Sequence, residues 1–170
     1  MTVVSLTPPS IPRLRVEPTG SRRTLLDGGW WPRSTDPVAE LPGLVLAIDE
    51  LRGPVTRLIL AARGWDTYPH RLGIAHRILL LTFFVSQPVC LLTALCANRD
   101  RVDLLVIPPQ TADGTADAAM SLAATADNRI HAEHILLTVS ALSPRPADNA
   151  AEQARAADGG PRQAIPSLSE

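Results

Sequence analysis

Residues 78–97 read Ile-Leu-Leu-Leu-Thr-Phe-Phe-Val-Ser-Gln-Pro-Val-Cys-Leu-Leu-Thr-Ala-Leu-Cys-Ala, a stretch without a single charge. A membrane-spanning helix needs roughly 20 such residues, so length alone leaves two folds open. The middle of the stretch separates them. Ser86-Gln87-Pro88 places a polar turn where a span would need its most apolar turn, and aromatic and β-branched residues crowd the first half. Two interior strands joined by a tight turn explain both features, because short apolar runs bounded by turn signals read as buried strands. A hairpin over residues 78–97 is therefore expected, with a membrane anchor through the same residues as the remote alternative.

Working outward, Val-Asp-Leu-Leu-Val-Ile at 102–107 predicts another strand, entered through the turn Asn98-Arg99-Asp100 and stopped by Pro108-Pro109, which lack ladder donors. On the other side, residues 55–62 and 72–76 read as strands separated by a loop over 63–70. Near the start, Leu14 and Val16 alternate with Arg13, Arg15 and Glu17, the pattern of a half-buried strand. Asp36-Pro37 supplies an N-cap and a first-turn proline, and Leu41, Leu44, Val45, Ile48 and Leu51 keep helical spacing until Gly53-Pro54. Pro42 should kink this helix or mark where its regular part starts. Two further helices are expected over 115–126 and 129–142.

These elements describe an α+β domain over residues 11–142, with a mainly antiparallel sheet of five or six strands. One helix follows the first strands, and two C-terminal helices cover a face. Residues 1–10 read as a flexible lead-in. From Ser143 onward Ala, Pro, Gly and polar residues leave too little apolar surface to offset ordering entropy, so 143–170 reads as a disordered tail.

Composition excludes some functions. The chain has 170 residues and a net charge of −1, and its 16 basic residues are all arginine. Their scatter along the sequence argues against a nucleic-acid partner, which would call for a basic run or face. No signal peptide is visible at the start, which points to the cytoplasm. Cys90 and Cys96 would stand about 20 Å apart on one extended strand, too far for a disulfide, and read as buried free thiols.

Residues 25–34, Leu-Leu-Asp-Gly-Gly-Trp-Trp-Pro-Arg-Ser, hold two of the three tryptophans side by side. On a strand, Trp30 and Trp31 point to opposite faces, so one is expected in the core and the other near the surface. Asp27, Trp30, Trp31 and Arg33, extended by Trp65 beside Asp66 and Tyr68, form the candidate contact site. A guanidinium beside an indole can hold a carboxylate or phosphate while the ring covers apolar surface. The structural alternative is a glycine-permitted bend with a tryptophan plugging the core.

Other chemistry is weaker. His131 and His134 sit one helical turn apart and could share a metal, but no third or fourth ligand accompanies them, and His70 and His76 cannot be placed from sequence. No Gly-x-Ser-x-Gly elbow is present. Pairing of Asp100 or Asp103 with His76 is a chance combination that any sheet supplies, and Gly28-Gly29 and Gly159-Gly160 lack the context of a phosphate loop.

Taken together, the tryptophan segment, Glu40-Leu41-Pro42, Gly64-Trp65, Asp103-Leu104-Leu105-Val106-Ile107-Pro108-Pro109 and Asn128-Arg129 resemble a family of uncharacterised actinobacterial proteins, over about residues 13–142. Members of that family usually carry Ala where Gly29 stands and a more acidic turn where this chain has Ser86-Gln87-Pro88. The resemblance implies a small cytoplasmic domain of unknown function. It also favours strands over a membrane span, since relatives are less hydrophobic across 78–97.

The function expected is a non-catalytic binding or interaction module without a cofactor. Its partner would be another protein or a small anionic ligand, not nucleic acid or membrane, and homo-oligomerisation is left open. The alternative is a small-molecule enzyme whose site assembles only in three dimensions. If residues 78–97 form interior strands, the protein should stay in the supernatant on cell fractionation without detergent; carbonate-resistant pelleting would return the stretch to the membrane.

Overall fold

Capping and alternation account for most of the local structure. A computed structural model describes residues 2–6, 8–18, 24–126 and 128–142. Helix α1, Pro37–Arg52, begins where the Asp36 side chain accepts from the Val38 N–H, and ends where Gly53 adopts φ 116°. Pro42 lies inside it. Helices α2, Asp113–Ala123, and α3, Ala132–Leu142, follow the last strand. The tail expected over 143–170 lies outside the described residues.

The strands are β1 (Val3–Val4), β2 (Leu14–Val16), β3 (Gly28–Trp30), β4 (Val55–Ala61), β5 (Arg71–Ile74), β6 (Arg77–Phe84), β7 (Leu91–Cys96) and β8 (Arg101–Val106). They form one mixed sheet in the order β1-β5-β6-β4-β7-β8-β3-β2. The expectation of five or six mainly antiparallel strands is corrected: eight strands are present, and β1/β5, β4/β6 and β3/β8 pair in parallel. Two of the additions, β1 and β3, are too short to show a period, and β1 draws on the lead-in read as flexible.

The expected hairpin over 78–97 is also corrected. Both of its strands exist as β6 and β7, but they do not pair with each other. Strand β4 lies between them, parallel to β6 through Leu58↔Leu81 and antiparallel to β7 through Leu58↔Ala94. The connection over 85–90 therefore crosses two strand spacings, about 10 Å, which a tight turn could not span. The tight turn lies one strand earlier, where Ile74↔Arg77 closes β5 on β6 through Ala75 and His76 at φ 46° and 67°. Two successive positive φ values match the right-handed strand twist of a two-residue hairpin, a place more often filled by Asn-Gly. No helix among the described residues is long and apolar enough to cross a membrane.

Apolar residues cover both faces of the sheet. On one, Leu41, Leu44, Val45 and Ile48 of α1 pack on Leu58, Leu60, Leu72, Leu79, Leu81, Leu92, Leu104 and Trp30. On the other, Ala116, Ala119, Met120 and Ala123 of α2, with Ala132, Ile135 and Val139 of α3, pack on Leu105, Ile107 and Trp31. Gly29 lets α2 approach closely, since a Cβ there would stand 2.9 Å from the Met120 Cα. Trp30 and Trp31 do point to opposite faces, but the expectation that one is exposed is wrong. They are 1% and 7% exposed because both faces of β3 lie under helices.

The start of β3 is held by charge. Asp27 and Asp103 exchange backbone and side-chain bonds: the Asp27 N–H donates to the Asp103 carbonyl, and the Asp103 N–H donates to Asp27 Oδ2, each at 2.8 Å. Arg52 at the end of α1 pairs with Asp27 Oδ1 at 3.8 Å and donates to the Glu17 carbonyl at 2.8 Å. Burial pushes the Asp27 carboxyl above the usual carboxylate range, and the Asp103 N–H and the Arg52 charge only partly oppose it.

Two outcomes follow. Trp30→Ala and Trp31→Ala should each cost about 3–5 kcal/mol in urea unfolding, as other large core truncations do; a near-neutral result for either would place that ring at the surface. Because the folded pKa of Asp27 lies above the unfolded one, its contribution to stability is full below the unfolded value and is lost as pH rises through the folded value. Asp27→Asn should therefore gain on the wild type as pH is raised from about 3 to 7, over a constant offset from the unpaired Arg52. A difference that did not change with pH would contradict the raised pKa.

Candidate functional site

Strands β3, β4, β6 and β8 run in one direction, so their carboxyl ends lie along the same edge of the sheet. Chain segments leaving β3, β4 and β8 at that edge diverge and enclose a crevice of about 450 Å³. Crevices outside strand carboxyl ends are where open sheets commonly receive ligands. Pro32, Ser34 and Thr35 continue from β3, Arg63, Gly64 and Trp65 from β4, and Pro108, Pro109 and Gln110 from β8. The loop before β7 supplies Pro88, Val89 and Cys90, and α3 supplies Glu133 and Leu136.

Trp65 is held from behind. Its ring stacks on buried Trp30 with centroids 6.1 Å apart and planes 22° from parallel. Gly64 turns the chain at φ 87°, the Asp66 N–H donates to the Thr35 carbonyl at 2.9 Å, and Thr35 Oγ1 donates to Asp66 Oδ1 at 2.7 Å. The opposing segment is equally tied. Buried Glu40, in the first turn of α1, accepts from Ser34 Oγ at 2.9 Å and from the Arg33 N–H at 3.2 Å. Loop residues in this crevice are thus fixed by bonds reaching into α1 and into each other.

The polar side chains on its walls are mostly engaged. Ser34 and Thr35 spend their hydroxyl protons on carboxylates, as above. Burial, aided by the Glu133 charge, pushes the Cys90 thiol up, which keeps it protonated and a poor nucleophile at neutral pH. Arg63 and Glu133 are exposed at the rim, and neither has a salt bridge or side-chain hydrogen bond among the described residues.

Of the residues singled out from sequence, the structure brings Trp30 and Trp65 together and separates the others. Asp27 is at the amino end of β3, in the ion pair with Arg52. Trp31 is buried under α2 and α3, its Nε1 donating to the Pro108 carbonyl at 3.1 Å and the Arg13 guanidinium lying 3.5 Å above its ring. Arg33 is exposed and turns back to donate to the Ile11 carbonyl at 2.8 Å. His131 and His134 stand edge to face at 6.1 Å beside a second hollow of about 350 Å³, which shares Pro88 and Glu133 with the crevice. Among the described residues, no group of three or more His, Cys, Asp or Glu side chains converges as a metal site would require. His76 caps the β5–β6 turn, while Asp103 is taken by Thr93, Arg101 and Asp27.

Sequence reasoning missed Arg63, Pro88, Val89, Gln110, Glu133 and Leu136 as site residues. Pro108-Pro109 was visible only as a strand stop, and nothing local marks the others as sharing one hollow.

A family model described as a family of unknown function, DUF5994, matches residues 13–123. The match runs from β2 through α2 and so includes every crevice wall except the one from α3. Neither a curated protein nor a solved structure matches this chain. The chain belongs to DUF5994, a family of unknown function whose matched segment contains the strand ends that frame the crevice.

Proposed function

We propose that the protein is a binding module whose crevice takes a flat, apolar small molecule carrying one anionic group. The observation that carries this reading is Trp65, half-buried against Trp30 and facing a hollow of a size typical for small-molecule sites. Pro32, Pro88, Pro108, Val106 and Leu136 supply the remaining apolar wall. Prolines and a stacked indole lose little side-chain entropy when a ligand arrives, which favours affinity from preorganisation.

Charge at the rim gives orientation. Arg63 reaches it from β4 and Glu133 from α3, so a ligand's carboxylate or phosphate is drawn to the Arg63 side and repelled from the other. Binding is favoured over catalysis because the hydroxyls of Ser34 and Thr35 are committed to structural carboxylates and the Cys90 thiol is held neutral. No histidine lines the crevice among the described residues. The candidate site of Asp27, Trp30, Trp31, Arg33 and Trp65 is thereby narrowed to Trp65 with Trp30 behind it.

Naphthoate and its neutral analogue naphthamide test the proposal by isothermal titration calorimetry. Naphthoate should bind roughly tenfold more tightly than naphthamide. Arg63→Ala should erase that difference, Trp65→Ala should weaken both, and Arg33→Ala should change neither. Equal binding of the two compounds, or indifference to Arg63→Ala, would sink it.

A further inference from the structure

The face of the sheet that carries α2 and α3 is only half covered. Helix α2 packs over β2, β3 and β8, and α3, packed beside α2, shares an apolar cluster with Leu105 of β8 and Leu91 of β7. On the same face, β5, β6 and β4 lie under no element among the described residues, and Ile78, Leu80 and Phe84 of β6 are 56%, 39% and 47% exposed. Their sequence neighbours Leu79 and Leu81 point the other way and are buried with the α1 cluster.

Cross-strand register sets a charge pattern on this bare half that the sequence does not display. Arg71 pairs with Leu80, Leu80 with Arg57, Arg57 with Leu95, and Leu95 with Arg101. Paired residues share a face, so one row crosses the sheet as Arg-Leu-Arg-Leu-Arg, with successive arginines about 10 Å apart. Arg101 shares Asp103. Arg57 and Arg71 are exposed and have no acidic partner within salt-bridge distance among the described residues.

We propose that this bare half-face is the docking surface for an amphipathic helix of a partner protein, with an apolar stripe flanked by glutamate or aspartate. Leu80, Ile78 and Phe84 would receive the stripe, and Arg57 and Arg71 the flanking carboxylates. The shape fits the same occupant. Helices α2 and α3 stand about 10 Å proud of the sheet, so the uncovered strands form the floor of a step about one helix diameter deep. A flat bilayer would meet those helices before reaching the floor. Sheet surfaces that read single-stranded nucleic acid put aromatic rings between their cations, whereas leucines stand there in this protein. The chain's own residues 143–170 are a poor complement, because Arg145, Arg155 and Arg162 are interspersed among Asp148, Glu152, Asp158 and Glu170 and their large apolar residues are only Ile165 and Leu168, which form no stripe.

The test uses the full chain and a fluorescein-labelled peptide of roughly five helical turns, its leucine stripe flanked by glutamates. Anisotropy should saturate, and binding should weaken with added salt. Arg57→Ser with Arg71→Ser should weaken it roughly tenfold or more, and Leu80→Glu should abolish it, while melting temperatures stay near wild type because all three sites are exposed. Trp65→Ala should leave it unchanged, which separates this surface from the crevice. Equal binding of a lysine-flanked peptide, or no binding of the glutamate peptide, overturns the proposal. So does Leu80-dependent sedimentation with phosphatidylglycerol vesicles, or a Leu80→Glu change from dimer to monomer, in a protein that ignores the peptide.

Discussion

Pairing of β4 on both of its edges is the constraint on which the rest of this structure depends. Strand β4 takes β6 in parallel on one side and β7 antiparallel on the other. That arrangement splits the longest uncharged stretch of the chain between two strands, β6 and β7, that do not pair with each other. It also forces residues 85–90 to bridge two strand spacings at the end of the sheet, where Pro88, Val89 and Cys90 become a wall of the crevice. The same pairing sets Arg57 between Leu80 and Leu95, which turns scattered arginines into a row. Fold, crevice and charged face thus share one origin in backbone hydrogen bonding.

A second consequence is that the sheet needs cover on both faces. Trp30 and Trp31 meet this need from adjacent positions, one under α1 and the other under α2 and α3. Buried indoles bring large apolar areas to each face and can also use a polar edge, as Trp31 does toward the Pro108 carbonyl. Trp30 carries the effect further outward by backing Trp65, so the rigidity of the core reaches the ring in the crevice wall. The crevice is preorganised because its walls are rooted in the packing that stabilises the domain.

The family match covers β2 through α2 and leaves α3 outside. In this chain, α3 closes one side of the crevice with Glu133 and Leu136 and completes the second apolar cluster. The crevice thus joins strand ends inside the matched segment to one wall from outside it.

Much of the fold was legible in the residues. Asp36-Pro37 and Gly53 mark α1 because capping is local chemistry, and alternation or apolar runs mark β2, β4, β6, β7 and β8 because side-chain period follows backbone conformation. Trp65 stood out in the sequence as a candidate in a polar loop, but its stacking on Trp30 and its place in the crevice wall did not. Strands β1 and β3 were not legible, since two or three residues carry no period. What the sequence by itself determined was which of the longer segments are strands or helices and that Trp30 and Trp31 oppose each other. Tertiary structure alone decided that β4 separates β6 from β7, that both indoles are buried, and that Arg57, Arg71 and Arg101 share a row. The physical reason is that strand pairing and burial arise between residues far apart in the chain, through backbone groups that every residue carries alike.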